Sequence, residues 1–382
     1  MASETRKILC ITNDFGPRAG GIETFIIGLI ERAPFGSLIV YTSSQGDTHA
    51  YDQEWMAKHG VEVIRDKSKV LLPSWRVGRS VRALVQERGI ERVFFGAAAP
   101  LGLLAHSLRR AGVKRIVALT HGHEVWWAKL WPFTWAMKRI GNGVDVLTYL
   151  GEFTKRAIAR PLNQKAASAM VRIAPGIDTD HFAPDATAIE LKRELELDGK
   201  RVIVSVGRLV HRKGQDTLVE ALPHILDEFP DAHLLFVGVG PHLEYIHKRA
   251  IQLGVLGNIS FVGRVQYSEL PRFFSVGEVF AMPSRSRLAG LEVEGLGIVY
   301  LEASACELPV VGGLSGGAPD AVLEGETGYS VDGLAPIAVA DAIKALLADP
   351  IAAKEMGRRG RQWIIDEWEW RHWSARFNAL FD

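Results

Sequence analysis

"VSVGRLVHRKGQDTLVEAL", residues 204–222, reads as a strand, a short loop and a helix in direct succession. The apolar run ends at Gly207, Arg208 follows at once, and Lys213-Gly214 opens an amphipathic stretch. The same alternation recurs along the chain. "RKILCITN", "SLIVYTS", "VEVI", "RVFFG", "RIVALTH" and "VDVLTYL" read as strands of a first half; "RVIVSVG", "AHLLFVG", "ISFVG", "EVFAMP" and "LPVVGG" read as strands of a second. Near-continuous Val, Ile, Leu and Phe runs separated by helices predict parallel sheets covered on both faces. The expected fold class is α/β, with two doubly wound Rossmann-like domains facing across a cleft. The seam falls in "APGIDTDHFAPD" (174–185), where Pro, Gly and Asp cluster. The expected domains are 1–172 and 173–363, with an aromatic helix over about 364–382 packing back on the first. Open parallel sheets bind ligands at the carboxyl ends of their strands, so the informative residues belong in loops that follow strands.

Length agrees with two domains, since 382 residues exceed what a single core usually holds. With 47% hydrophobic and 23% charged residues, the chain is globular. Its two cysteines, Cys10 and Cys306, lie in apolar runs and in no metal or redox spacing. That usage suits a reducing cytosol. The amino terminus lacks the apolar length of a signal peptide, and no long uncharged apolar window suggests a membrane span. The net charge of +1 hides an asymmetry: residues 1–170 carry 24 Lys+Arg against 14 Asp+Glu, a net of +10, and residues 171–382 carry −9. A basic half suits an anionic partner, although no basic stripe with interleaved stacking aromatics points to nucleic acid.

Arg208 and Lys213 stand beside the start of a helix. The helix end supplies free N–H groups and partial positive charge, so the three together form an anion site. Arg208 can grip phosphate oxygens with its fork while Lys213 acts as a point charge. In the first half, "DFGPRAGGIETFIIGLIERA" (14–33) places Gly20-Gly21 before a helix, where glycine permits close approach of a ligand to the backbone. It has neither the P-loop ending nor a G-x-G-x-x-G pattern.

In "EVEGLGIVYLEA" (292–303), Glu294 and Glu302 bracket a glycine turn and the start of an apolar helix. Glu294 belongs at the helix mouth. Glu302 belongs about two turns in, and helical side chains lean toward the amino terminus, so it points back to the same mouth. Ionised carboxylates only accept hydrogen bonds and sugar hydroxyls donate them. The free N–H groups of Gly295, Leu296, Gly297, Ile298 and Val299 remain for phosphate or sugar oxygens. A nucleotide sugar, with hydroxyls at both ends and two phosphates between, satisfies this arrangement.

Taken jointly, Gly20-Gly21, the "GRL…KG" of Arg208 and Lys213, "PGID" at 175–178 and the Glu-x₇-Glu of Glu294 and Glu302 make the chain resemble a retaining glycosyltransferase of family four, with the GT-B fold. The wording "MPSR…EVEGLGIVYLEA" is most similar to GDP-mannose-dependent mannosyltransferases acting on phosphatidylinositol mannosides. The resemblance implies that Arg208 and Lys213 hold the donor diphosphate, Glu294 and its neighbours the sugar, and Glu302 the ribose. Gly263, Arg264 and Val265, in "FVGRVQY" (261–267), would touch the base. His121, in "LTHGHEVWWAKLW" (119–131), matches a family histidine near the reacting sugar. Asp14, Arg18, His123 and Trp126 are the acceptor-side candidates.

The resemblance also implies retention at the anomeric carbon. The first-domain loops offer no convincing carboxylate nucleophile, so same-face attack is the expected route, with a donor phosphate oxygen taking the acceptor proton. No metal is expected, because Arg208, Lys213 and helix ends can stabilise the leaving diphosphate. Two patterns resemble metal sites: His121-x-His123 with Glu124, and the Asp178-x-Asp180 pair, which reads as turn chemistry. A lipid acceptor implies an enzyme at the inner face of the plasma membrane, in peripheral contact with anionic lipid. "SWRVGRSVRALVQER" (74–88) sets Val77, Val81, Leu84 and Val85 on one face and Arg76, Arg79 and Arg82, with Trp75 among them, on the other. An interfacial helix and a solvated charged face over a core stripe both fit. The rivals are a family member with a UDP-sugar or soluble acceptor, a non-catalytic sugar-nucleotide binder, and a nicotinamide oxidoreductase suggested by Gly238-x-Gly240.

Overall fold

The computed structural model describes residues 7–18 and 20–382. The first six residues, on which part of the amino-terminal reading rests, lie outside them. The chain divides into two compact units. One runs to Gly176 and regains Trp370–Asp382; the other is Ile177–Glu369.

The first unit holds seven parallel strands: β1 (Ile8–Thr12), β2 (Leu38–Thr42), β3 (Glu62–Arg65), β4 (Arg92–Phe95), β5 (Arg115–Ala118), β6 (Val146–Tyr149) and β7 (Val171–Arg172). Their order is β3-β2-β1-β4-β5-β6-β7. β1 and β2 are buried at every position, as the uninterrupted apolar runs require of strands covered on both faces. The sheet reverses direction of growth between β1 and β4, which is where a doubly wound sheet opens a ligand crevice. The loops that begin at residues 13, 96 and 119 leave the carboxyl ends of β1, β4 and β5.

The second unit holds β8 (Arg201–Val206), β9 (Ala232–Val237), β10 (Ile259–Gly263), β11 (Val279–Met282), β12 (Val310–Gly313) and β13 (Gly328–Val331), in the order β10-β9-β8-β11-β12-β13. Its reversal lies between β8 and β11, so the loops carrying Arg208-Lys213 and Glu294 start from neighbouring strands. The two strands that the apolar runs did not reveal, β7 and β13, are the last of each sheet. β7 is two residues long, and β13 reads Gly-Tyr-Ser-Val with one buried position, so neither has a continuous apolar signal.

The carboxyl-terminal stretch divides. Ile364–Trp368 stays with the second unit, where Ile177 N–H donates to the Trp368 carbonyl at 2.8 Å. The helix Trp370–Asn378 lies in the first unit. Phe377 packs edge-on against Phe94 with ring centroids 5.1 Å apart, and Arg115 Nε donates to the Leu380 carbonyl at 2.7 Å. Close approach here depends on Gly28, where an added Cβ would sit 2.3 Å from the Trp370 ring. Phe377 is buried, so Phe377→Ala should destabilise the first unit by about 3–5 kcal/mol. Denaturant unfolding followed through that unit's transition checks this; a loss below about 1 kcal/mol would mean that the helix adds little to the core.

Candidate active site

Loop 207–214 leaves β8 and contains a single 3-10 turn, His211–Lys213. The helix Gln215–Leu226 follows, with Gly214 at its N-cap in the left-handed region, φ 74°. Arg208 is exposed. Among the described residues its guanidinium has no protein partner, so it is free to meet an anion. Lys213 is buried and turns inward, with Nζ 2.8 Å from Glu294 Oε2. Arg212 Nη1 donates to the same oxygen at 2.6 Å. Burial alone would push the Glu294 carboxyl up, but Lys213 and Arg212 outweigh it and hold Glu294 below the usual range. Two cations therefore converge on one carboxylate in a site that largely excludes water.

The loop after β11 is positioned by glycine contacts. Gly297 caps the helix Ile298–Ala305 at φ 79°, and a side chain there would strike the Tyr300 ring. Gly316 and Gly317 lie against the Glu294 and Gly295 carbonyls; an added Cβ would come within 2.3 and 2.2 Å of them. Gly317 N–H donates to the Glu294 carbonyl at 2.8 Å, and Glu294 N–H to Ser315 Oγ at 3.3 Å. Leu296 and Val299 are buried. Gly295 to Val299 thus form the amino-terminal mouth of the helix, with Glu294 immediately before it. Glu302 is half-buried inside the first turns. Burial, offset in part by Lys213, pushes its carboxyl up to about 7. Among the described residues it has no ion-pair partner, so an acceptor site stands open to hydroxyl donors.

Gly263, at φ 83° with open space where a side chain would go, ends β10; exposed Arg264 and half-buried Val265 follow. The Gly238-x-Gly240 turn has a packing role, because Cβ atoms there would strike the Gly207 and Leu209 carbonyls at 2.0 and 2.1 Å.

In the first unit, the helix Gly21–Glu31 begins directly after Gly20. A side chain on Gly20 would meet the Glu23 carboxylate at 2.4 Å, whereas Gly21 faces open space. Arg18 Nε donates to Glu23 Oε1 at 2.8 Å, and its Nη2 lies 3.6 Å from Asp14 Oδ1. Burial and Glu23 raise the Asp14 carboxyl against the pull of Arg18 and His123. His121 Nε2 donates to the Gly96 carbonyl at 2.5 Å, which leaves Nδ1 as the acceptor. Burial, opposed by Glu124, depresses His121, so the ring is neutral near pH 7. His121 N–H donates to Glu124 Oε2 at 2.9 Å. His123 stacks parallel to His121 at 6.3 Å, and Trp126 packs on Phe133 at 4.7 Å. Asp14, Arg18, His121 and His123 therefore share one electrostatic neighbourhood. Among the described residues, the ligand atoms of His121, His123 and Glu124 do not come together as a group that could hold a metal ion. Asp178 Oδ1 accepts from the N–H groups of Asp180 and His181 at 3.2 and 3.1 Å, a turn that leaves no Asp-x-Asp chelate.

Sequence reading did not single out Arg212, Ser315, Gly316 or Gly317. Arg212 was legible only as one more basic residue beside Lys213. The glycine pair is visible in "GGLSGGA" but points nowhere until the fold lays it under Glu294. Arg76 differs from its expected place on a common basic face. It forms a two-point pair with Asp66, Nη2–Oδ1 2.6 Å and Nη1–Oδ2 3.0 Å, because a buried carboxylate requires a partner.

Comparison with known proteins identifies the family. Residues 188–363 fit the family "Glycosyl transferases group 1" and residues 19–181 fit "Glycosyltransferase Family 4". The chain is 45% identical to a GDP-mannose-dependent alpha-(1-6)-phosphatidylinositol monomannoside mannosyltransferase of Mycolicibacterium smegmatis, covering 98% of this chain and 97% of that protein. It is 39% identical to a Corynebacterium glutamicum mannosyltransferase named for the monoacylated form of that acceptor, covering 99% and 98%. Among solved structures, Anabaena HepE in complex with UDP superposes with a TM-score of 0.80 at 18% identity, covering 98% of each chain, which supports the fold. The two family models, matched along most of the chain, and relatives up to 45% identical over nearly its whole length place the chain in glycosyltransferase family four, with the GT-B fold.

Proposed function

We propose that the protein transfers mannose from GDP-mannose to a phosphatidylinositol mannoside, with retention at the anomeric carbon. The observation that carries the reading is the convergence of Lys213 and Arg212 on Glu294 at a helix mouth, with Arg208 left free beside it. Arg208 and Lys213 meet the diphosphate, and charge that grows on the leaving oxygen falls on preorganised cations and N–H groups. Glu294 accepts from sugar hydroxyls and Glu302 from the ribose. In the first unit, neutral His121 offers a hydrogen-bond acceptor at Nδ1, and Asp14, Arg18, His123 and Trp126 bear on the acceptor. The acceptor hydroxyl attacks from the face the diphosphate leaves, and a phosphate oxygen takes its proton. The positive charge of these side chains serves the role a divalent metal would fill, so transfer should persist in EDTA.

Purified protein incubated with labelled GDP-mannose and a phosphatidylinositol mannoside extract should yield a product one mannose larger. Equal transfer from UDP-glucose, or transfer only to soluble acceptors, would replace this reading with another member of the family.

Contact with an anionic membrane is part of the proposal. The helix Trp75–Glu87 buries Val77, Val81, Leu84 and Val85. Its other face exposes Trp75, with Arg79 stacked over the indole at 3.5 Å. Arg79, Arg82 and Arg110 line a surface hollow of about 230 Å³, and among the described residues none of them pairs with a carboxylate. Unpaired arginines around an exposed aromatic suit phosphate headgroups. No helix among the described residues is long and apolar enough to cross a membrane. Binding to vesicles containing anionic lipid should fall on replacing Arg79, Arg82 and Arg110 with Ser; equal binding to neutral vesicles would remove the electrostatic element.

A pH dependence follows from Glu302. Its folded value of about 7 lies above the ordinary 4.5, so the folded chain holds this proton more tightly than the unfolded chain. The stability this contributes is present at low pH and is lost as pH rises toward and through about 7. Ribose binding calls for the ionised form. GDP affinity should therefore rise with pH, by at most about tenfold per unit below 7, and level off above it. Titration calorimetry from pH 5.5 to 8.5 measures this, and Glu302→Gln should flatten the curve; an unchanged slope in the variant would assign the dependence elsewhere.

A further inference from the structure

Beside the donor loop, three side chains of the second unit converge without a role in the transfer. His211, Asp216 and His242 each present one ligand atom, and these atoms lie within 4.8 Å of one another. His242 is 3% exposed and Asp216 is 7% exposed. His242 Nε2 lies 3.3 Å from Asp216 Oδ2, within ion-pair reach. That nitrogen and Asp216 Oδ1 are both buried without a hydrogen-bond partner. Arg285 Nη2 reaches the other carboxylate oxygen, Oδ2, at 2.5 Å, so Oδ1 stays available. His211 closes the group from the solvent side, its ring 3.6 Å from that of His242.

Native interiors rarely leave two facing polar atoms unsatisfied, and where they do an ion or water commonly answers them. Two imidazoles and one carboxylate are the donor set that borderline cations such as Zn²⁺ prefer, with water completing the shell. Bond lengths of about 2.0–2.2 Å require the ligand atoms to draw in. His211 is exposed and can swing to do so, whereas His242 and Asp216 are held by packing and by Arg285. We infer that His211, Asp216 and His242 form a binding site for a Zn²⁺-class divalent cation, separate from the atoms of the transfer reaction. The cationic side chains of Arg285 and Arg287 stand alongside and oppose the cation's charge. The cation ties the 3-10 turn that carries Lys213 to the start of the helix Leu243–Gln252. It restrains the donor loop without touching donor.

The test uses the full chain stripped with EDTA. Zn²⁺ titrated against a chromophoric chelator should show one tight equivalent, and Co²⁺ should give the visible bands of a low-coordinate nitrogen and oxygen site. His211→Ala removes an exposed ligand, so the fold should be kept, checked by circular dichroism. It should weaken Zn²⁺ binding at least tenfold and bleach the Co²⁺ bands. His242→Asn supplies the second variant and should do the same. Absence of a stoichiometric equivalent, or one that both variants bind as tightly as the parent, would overturn the site.

Discussion

Lys213→Met is expected to lower kcat/KM with GDP-mannose by about 10²–10³-fold, equivalent to roughly 2.7–4 kcal/mol of transition-state stabilisation. Methionine keeps the length and packing of the side chain and removes only its charge. The effect is large because Lys213 is buried, where its charge acts on a leaving diphosphate with little screening by water. Glu294 Oε2 would keep Arg212 at 2.6 Å, so the carboxylate stays partnered and the fold should survive. That contrast separates chemistry from stability: thermal unfolding should move little while turnover collapses. Steady-state kinetics with calorimetric GDP binding measures both. A kcat/KM within threefold of the parent in a folded variant would remove Lys213 from the reaction and, with it, the proposed arrangement of the diphosphate.

The second large effect is expected at Gly214→Ala. Gly214 has φ 74°, where an alanine is strained, and its added Cβ would lie 2.0 Å from the Pro283 carbonyl oxygen. Pro283 follows β11 directly, so the obstacle is backbone of the neighbouring strand end and cannot rotate away. Either the loop lifts, carrying Lys213 off Glu294, or the helix Gln215–Leu226 shifts. A cost on the order of 3 kcal/mol is expected, with a fall of about 10 °C in the second unit's transition. Gly199→Ala is the matched control. Gly199 has the same φ of 74° but nothing within 4 Å of the added atom, so only the strain, about 1 kcal/mol, should appear. Calorimetric scans of the two variants decide this. Equal losses would mean that the close approach to Pro283 is not a constraint.

These two positions also mark the division between chain and fold. Lys213 was legible beforehand because its chemistry is local: a cation next to a strand-to-helix turn is an anion site wherever the turn lies. The same holds for the apolar stripe of Val77, Val81, Leu84 and Val85, which is buried as its spacing requires. Gly214, by contrast, reads as an ordinary helix-opening glycine, because nothing in the chain says that Pro283 will lie against it.

The amino-acid sequence by itself determined the two parallel α/β units, the loops that carry the site, and the residue types that suit a nucleotide sugar. Each rests on periodicity or on neighbours within one turn of chain. Only the tertiary structure decided that Arg212 shares Glu294 with Lys213, that Gly316 and Gly317 seat the Glu294 loop, that Arg76 belongs to Asp66, and that His211 meets His242. Those pairings join residues brought together by strand order and by burial of charge. A carboxylate deprived of water takes whichever cation the packing puts within reach, and one-dimensional spacing carries no record of that choice.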